Sequence, residues 1–178
     1  SIADATLRPR GPIARTIRVI HALFARIPED AIKLLARVSL AATFWTSGQT
    51  KIEGLVLDPI GWNMELGAPR VSDNAIELFR SEYALPLIDP TLSTYLAAIA
   101  EHVLPLLLLF GLATRLSAFS LLVMTLVIQV FVYPSAYPTH GLWAALLLYL
   151  MARGPGSLSL DHFIARRHAS KHLARGRD

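Results

Sequence analysis

Residues 91–133 read TLSTYLAAIAEHVLPLLLLFGLATRLSAFSLLVMTLVIQVFVY, an apolar run that is interrupted once, at Gly111-Leu112-Ala113-Thr114-Arg115. Each side of the interruption contains roughly 20 residues, which is enough for a helix to cross about 30 Å of hydrocarbon. The stretch therefore predicts a transmembrane helical hairpin. The rest of the chain can be placed around it.

The composition also indicates a membrane protein. Of 178 residues, 53% are hydrophobic and only 17% are charged, whereas about 25% of residues are charged in an ordinary soluble domain. We expect one membrane domain. Cysteine is absent, which excludes disulfide chemistry, thiolate catalysis and cysteine-ligated metal clusters.

The N-terminal part predicts a surface helix. Residues 1–12 lack the apolar core of a cleavable signal, so the first membrane helix is expected to target the chain. Between Pro12 and Ile27, the apolar residues recur at helical spacing and the arginines lie off their stripe. Such an amphipathic basic helix favours the surface of an anionic leaflet. The alternative is a helix that packs on another subunit.

Two further spans complete the predicted bundle. Ala31 to about Thr50 forms the first, with Lys33 and Arg37 at its start. The last runs from about Gly141 to Ala152, which covers only about 18 Å, so it should begin earlier, near Pro138. The predicted fold is all-α, a four-transmembrane-helix bundle. Its parts are an N-terminal segment with the surface helix at 1–29, the transmembrane domain at 30–153 and a basic tail at 154–178.

A long connection, residues 52–90, separates the first two spans. Ser72-Asp73 could cap a short helix that continues to about Tyr83. We expect this connection to cover the mouth of the bundle. An exposed tether is the alternative, but six large apolar residues need an apolar cover: Leu55, Val56, Leu57, Trp62, Leu78 and Phe79.

The basic residues predict the orientation. Fourteen of the 17 Lys and Arg residues fall in the N-terminal region, the short turn and the tail, while Lys51, Arg70 and Arg80 fall on the other side. By the positive-inside rule both termini are cytoplasmic and the connection faces outward, in a multi-pass protein of a bacterial inner membrane. Asp161 is expected to cap a basic tail helix. The topology explains the positive charge, so nucleic acid is not an expected partner.

Four short motifs resemble the DoxX family of small four-helix bacterial membrane proteins. They are Ser47-Gly48-Gln49-Thr50-Lys51, Ala100-Glu101, Gly111 to Arg115, and Gly154 to Asp161. The likeness covers roughly residues 32–161. It implies a four-helix bundle and, from the members that gave the family its name, a membrane subunit linked to quinone-dependent oxidation of sulfur compounds. The long connection and His102-Val103-Leu104-Pro105 depart from the family pattern.

Glu101 is the main candidate for chemistry. An ionisable group in the middle of a span costs about 2.5–3.5 kcal/mol or more, so it normally faces protein or water and marks a functional site. Pro105 has no amide hydrogen, so the carbonyl of Glu101 should lose its helical partner and the helix should kink. The small residues Thr94, Ala97 and Ala98 share this face, which indicates that Glu101 faces the bundle.

Two roles remain open for this carboxyl group. A carboxylic acid that stays protonated in a low dielectric, unless Arg37, Lys51 or Arg115 lies close, suits proton transfer to or from a quinone. It equally suits a structural hydrogen bond to Ser, Thr or Gln129 of another span. His102 is turned about 100° away, which disfavours a shared metal and favours a structural hydrogen bond. The histidines do not share the depth that a haem would need, and no phosphate-binding glycine loop is present.

Two hypotheses for function follow. The first is a subunit of a quinone-linked oxidoreductase or respiratory-type complex, with Glu101 as proton donor or acceptor and a quinone as the cofactor. Four residues are candidates to bind the quinone head group: Gln49, Lys51, His102 and Gln129. The second is a non-catalytic subunit that docks to a larger membrane complex. Its partners would be the lipid bilayer and other membrane subunits, or further copies of the same chain.

Overall fold

The computed structural model describes residues 11–58 and 61–175, apart from the side chains of Pro12, Asp58 and residues 169–175. The predicted N-terminal segment before Gly11 and the last three residues lie outside this part. Its regular elements are α1 (Pro12–Phe24), α2 (Glu29–Gln49), β1 (Ile52–Asp58), β2 (Asn63–Val71), α3 (Asp73–Leu78), α4 (Pro90–Phe110), α5 (Thr114–Val127), α6 (Tyr137–Arg153) and α7 (Leu160–Arg175). Short π-helical turns at Phe79–Tyr83 and Ile128–Val132 extend α3 and α5, and a 3-10 turn at Pro134–Ala136 precedes α6.

Two helices of the described chain are long and apolar enough to cross a membrane, Pro90–Phe110 and Thr114–Val132. They are the two arms of the predicted hairpin. The turn between them is tight because Gly111 adopts a left-handed conformation, with φ of 66°. Its amide and that of Leu112 donate to the carbonyls of Leu108 and Leu107, 3.1 and 2.8 Å away. This pattern closes the end of a helix.

Four helices share one core. Its buried residues come from α2 (Ala36, Leu40 and Phe44), α4 (Leu108), α5 (Ala118 and Leu121) and α6 (Leu147 and Leu150). The opposite faces of the long helices expose large apolar side chains such as Leu96, Ile99 and Leu126. An apolar exterior around a packed interior is typical of helices that face lipid.

The helices at the two ends of the chain agree with the predicted ones. The helix expected to form the last span begins before Gly141, at Tyr137, as its length required. Helix α1 occupies most of the predicted surface helix, and its stripe residues Ile13, Ile17 and Phe24 are exposed. The tail helix is present as α7.

The prediction of an all-α fold was wrong in one place. Residues 52–71 form an antiparallel two-stranded hairpin, in which Ile52 pairs with Val71 and Asp58 with Asn63. β1 is rich in aliphatic residues, and the sequence between the two strands, residues 59–62, begins with Pro59 and contains Gly61, a pattern typical of a β-hairpin. The pairing is irregular near Gly54, whose φ is 81°. This irregularity is a bulge that glycine allows.

The connection covers the bundle with only one of its halves. The predicted short helix is present from Asp73, after Ser72, although Ser72 makes no capping hydrogen bond. Its π-helical end buries Phe79. The hairpin instead runs back along α2, where the indole nitrogen of Trp45 donates to the carbonyl of Leu57 at 2.9 Å. Trp62 lies at the hairpin turn and is 93% exposed.

Asp161 caps a different helix from the predicted one. Its carboxylate accepts hydrogen bonds from the amides of Ala113 and Thr114 at 2.8 and 3.0 Å. Asp161 therefore closes the start of α5. Its own helix, α7, is capped by Ser159, whose hydroxyl accepts from the amide of His162 at 3.2 Å. The prediction used spacing along the chain, but the free amides of a helix end that is distant in sequence lie nearer.

Candidate functional site

Lys51 and Glu101 form a buried ion pair. The ammonium nitrogen of Lys51 lies 2.7 Å from Oε2 of Glu101, and the two residues are only 5% and 2% exposed. Lys51 follows the end of α2, whereas Glu101 lies in the middle of α4. The carboxyl group therefore has a cation beside it, which the sequence had left as an open question.

The Lys51 ammonium group uses all of its donors. Besides Glu101, it donates to the carbonyl and the hydroxyl of Ser47, at 3.1 and 3.2 Å. An ammonium group has three donors, so each proton of Lys51 has an acceptor. Such satisfaction is what allows a charge pair to lie away from water.

Gly48 allows α2 to approach α4 closely at this level. A Cβ on Gly48 would lie 3.0 Å from both the Cβ and the carbonyl oxygen of Glu101, and 2.9 Å from Cε1 of His102. Because Pro105 lacks an amide hydrogen, this same carbonyl has no helical donor four residues later. The close contact lies at the level where Pro105 removes one backbone hydrogen bond from α4.

His102 and Gln49 form a second polar network. Nδ1 of His102 lies 2.6 Å from the carbonyl of Ala98, which can only accept, so Nδ1 carries the proton. Nε2 is then an acceptor, and the amide nitrogen of Gln49 lies 2.9 Å from it. The amide oxygen of Gln49 accepts from the amide of Leu57 at 2.7 Å. This network holds β1 against α2 and α4, and it gives His102 the structural hydrogen bond that was favoured.

A cavity of about 320 Å³ adjoins the ion pair. Most of its wall is apolar, and it extends from α2 and α4 to the ends of α3, α5 and α6. Its polar and aromatic boundary consists of Thr43, Phe44, Ser47, Lys51, Phe79, Tyr83, Ser93, Glu101, Tyr133, His140 and Trp143. Of the predicted site residues, Glu101 and Lys51 border this cavity. Gln49, His102 and Gln129 do not.

His140 is a boundary residue that the sequence analysis did not select. It is 6% exposed, and its Nδ1 lies 2.8 Å from the amide oxygen of Gln129. An amide oxygen only accepts, so Nδ1 carries a proton, and in the neutral imidazole Nε2 is then the nitrogen that can accept one. Gln129 is fixed in turn because its amide nitrogen donates to the carbonyl of Pro134 at 2.7 Å. Gln129 thus orients His140. The position of His140 in the first turn of a helix gave no signal of this contact.

Two tyrosines and a glutamate lie together where the cavity meets the ends of α3 and α5. The hydroxyl of Tyr133 donates to Glu82 at 2.6 Å, and the rings of Tyr83 and Tyr133 meet edge to face at 5.6 Å. The hydrogen bond to Glu82 raises the pKa of Tyr133 above its usual range. These contacts join the π-helical ends of α3 and α5.

Arg37 organises the opposite end of the bundle. It is 2% exposed, and its guanidinium donates to the carbonyls of Leu108, Leu109, Pro155 and Leu158 at 2.5–3.1 Å. Gly111 fits against it because a Cβ there would lie 2.9 Å from the guanidinium carbon. The sequence marked Arg37 only as a cation near a span. Its partners are carbonyls, which no residue-type pattern reveals.

The four sequence motifs therefore converge in two pairs. The motif at 47–51 meets the Glu101 motif at the cavity, and the turn at 111–115 meets the segment at 154–161 around Arg37. Within the described residues, no group of three or more His, Asp or Glu side chains could hold a metal ion.

Comparison with known proteins gives the same result as the motifs. The DoxX family model matches residues 32–134, more than half of the chain. An uncharacterized protein of Haemophilus influenzae is 27% identical over 146 residues, which cover 78% of this chain and 86% of the relative. No solved structure gives a significant match. The chain belongs to the DoxX family.

Proposed function

We propose that the protein is a multi-pass subunit of a quinone-linked oxidoreductase, in which α2, α4, α5 and α6 all cross a bacterial inner membrane. All four helices share one core. The charge that most opposes a membrane position for α2 is Arg37, and its donors are satisfied by four carbonyls. A buried and hydrogen-bonded charge is the form in which an arginine is tolerated in a span. Both termini would be cytoplasmic.

The observation that carries the proposal is the Lys51–Glu101 pair at the wall of an apolar cavity. Small-molecule sites are typically clefts of about 300–1,000 Å³ with apolar walls and a few polar groups, and this cavity meets that description. A quinone head group is a planar apolar ring with two carbonyl oxygens, which suits apolar walls with polar groups at separate points. Lys51 and Glu101 would lie at one such point and His140 at another.

When bound, a quinone would supply a carrier of two electrons and two protons. Side chains on the wall of the cavity would donate and accept the protons. Glu101 would hold or release a proton at its carboxylate, with Lys51 stabilising the charged form. Nε2 of His140 is a proton acceptor because Gln129 fixes the proton on Nδ1. Gln49 and His102 would act indirectly, since their network positions the ends of α2 and α4.

Quinone retention tests this function. The protein purified from native membranes in mild detergent should carry quinone in its extracted lipids. Glu101→Gln and His140→Phe should reduce quinone-linked oxidation in the membranes by about 100-fold or more, the range expected of a general acid or base. Both variants should also retain less quinone than the wild type. The matched control is Glu53→Gln, because Glu53 pairs with Arg70 on the surface of the hairpin. Absence of quinone, or full activity in Glu101→Gln, would rule out the proposal.

Exposed apolar surfaces favour a second candidate, a docking subunit without catalysis. Helix α1 exposes Ile13 and Phe24, and the hairpin exposes Trp62, Met64 and Leu66. Of these residues, the aromatic ones and Met belong to the types that are enriched at protein interfaces. Native mass spectrometry from mild detergent distinguishes the two candidates. A larger assembly that dissociates in Trp62→Ser, with no quinone present, supports docking, whereas an isolated chain with quinone-dependent turnover excludes it.

A further inference from the structure

A basic cleft lies at the end of the bundle opposite Lys51. It has a volume of about 740 Å³ and opens between the start of α2, the start of α5 and the segment after α6. Its boundary includes three basic side chains, Lys33, Arg115 and Arg153. The quinone proposal uses none of them.

The acidic groups of the cleft are already engaged. Asp161 accepts from the two amides at the start of α5. Asp30 accepts from the hydroxyl of Ser157 and lies 3.5 Å from the ammonium of Lys33, and the Ser157 hydrogen bond lowers the pKa of Asp30. The two acidic residues on the boundary, Asp30 and Asp161, therefore make their hydrogen bonds and ion pairs with groups other than the arginines of the cleft.

The two arginines retain unused donors. The side chain of Arg115 has no hydrogen bond or ion pair within the described residues, and it lies beside Gly154, where an added Cβ would be 3.7 Å from its Nε. Arg153 forms one ion pair within the described residues, a long one of 3.8 Å to Glu29, and its side chain is 65% exposed. A guanidinium presents five donors in a fixed plane, a geometry that matches a phosphate group.

Thr114 gives an independent indication of a ligand. It borders the cleft and is fully buried, yet its hydroxyl is the one buried side-chain polar atom without a hydrogen-bond partner among the described residues. The buried hydroxyl of Thr125, by contrast, donates to the carbonyl of Leu121 at 2.8 Å. Unsatisfied buried polar atoms are rare and require an explanation. A bound acceptor would provide one.

The position of the cleft identifies the source of such an acceptor. Arg115 lies in the first turn after the join between the two apolar helices, Pro90–Phe110 and Thr114–Val132. Whatever the orientation of the protein, this join lies at a membrane surface. Leu116, also on the boundary, is 66% exposed. At this depth the basic side chains face the lipid head groups, and the exposed apolar side chains face the acyl chains.

We propose that this cleft binds the phosphate group of an anionic phospholipid, with Arg115 and Arg153 as its charged donors and Thr114 as a neutral donor. The site is independent of the quinone proposal, since it lies at the other end of the bundle and shares no residue with the cavity.

Lipid titration followed by native mass spectrometry tests the site. Delipidated protein in detergent is titrated with phosphatidylglycerol, with phosphatidylcholine and with inorganic phosphate. Phosphatidylglycerol should bind more tightly than phosphatidylcholine, and each of Arg115→Gln and Arg153→Gln should weaken it about fivefold, as expected for one basic residue at a membrane surface. Thr114→Val keeps the shape of the side chain but removes its hydroxyl, and it should also weaken the binding of phosphatidylglycerol.

The control variant removes the same charge elsewhere. Arg70→Gln/Arg80→Gln removes two exposed arginines that pair with Glu53 and Glu77, and it should bind phosphatidylglycerol as the wild type does. Equal loss in Arg115→Gln/Arg153→Gln and in this control would overturn the site. Displacement of the lipid by an equal concentration of inorganic phosphate would identify a soluble anion and overturn the lipid assignment. Unchanged binding in Thr114→Val would remove Thr114 from the site.

Discussion

Gly48 and Glu101 lie where α2 comes close to α4, since a Cβ on Gly48 would be 3.0 Å from the carbonyl oxygen of Glu101. The two residues are brought together by the packing of helices that are separated in sequence by the whole connection. Beside them, the buried Lys51–Glu101 pair depends on the same approach.

Gly48→Ala should therefore destabilise the protein. The added methyl group forces α2 and α4 apart, and overpacking of this kind costs about 1–3 kcal/mol. The matched control is Gly141→Ala, whose Cβ would lie 3.7 Å or more from its nearest neighbours, so its higher helix propensity should leave stability equal or slightly raised. Thermal unfolding in detergent measures both. Equal stability of the two variants would contradict this packing.

Arg37→Met should lower the free energy of unfolding by more than Gly48→Ala does. The change removes four hydrogen bonds, and it takes the Arg37 donors away from two carbonyls at the end of α4 and two in the segment after α6. We expect a loss of about 3–5 kcal/mol in the free energy of unfolding. Arg37→Lys should recover only part of this loss, since an ammonium group has fewer donors. Arg26→Gln, at an exposed arginine, is the control. An unfolding curve for Arg37→Met that matches the wild type would show that Arg37 does not hold the end of α4 to the segment after α6.

The Tyr133–Glu82 hydrogen bond should give stability that depends on pH. The pKa of Tyr133 is raised in the folded protein, so its stabilisation is present below the ordinary tyrosine pKa of about 10 and is lost as the pH rises through the raised value. The difference in melting temperature between wild type and Tyr133→Phe should be constant from pH 7 to 9 and should shrink above about pH 10.

Tyr137→Phe serves as the reference for this measurement, because Tyr137 is 70% exposed. Its melting temperature should follow that of the wild type at every pH. A difference for Tyr133→Phe that does not change above pH 10 would exclude the hydroxyl as the source.

Membrane orientation can be tested with single cysteines, since the chain has none of its own. A cysteine at Asn74, exposed on α3, should react with an impermeant maleimide in intact cells, whereas one at Ala165, exposed on α7, should react only after permeabilisation. The expectation follows from the excess of Lys and Arg on the side of α7. The reverse labelling pattern would place the cavity mouth in the cytoplasm and would invert the proposed topology.

The sequence by itself determined the elements whose signal is local. The hairpin of apolar helices follows from the length of the run at residues 91–133 and from a glycine at its break. The start of α3 after Ser72 and the stripe of α1 are also local patterns. The family follows from four short motifs, and Glu101 stands out because a carboxyl group is rare in such a run.

Only the tertiary structure decided which residues meet. Lys51 and Glu101 pair across 50 positions, and Asp161 caps a helix that begins 47 positions earlier. A side chain finds partners by proximity in space, so Gln49 and His102, which share the level of Glu101, engage each other instead of the cavity. The β-hairpin at residues 52–71 was missed because the pairing of two strands depends on the register between residues that are distant in sequence. Arg37 was undervalued because its partners are backbone carbonyls, which every residue carries.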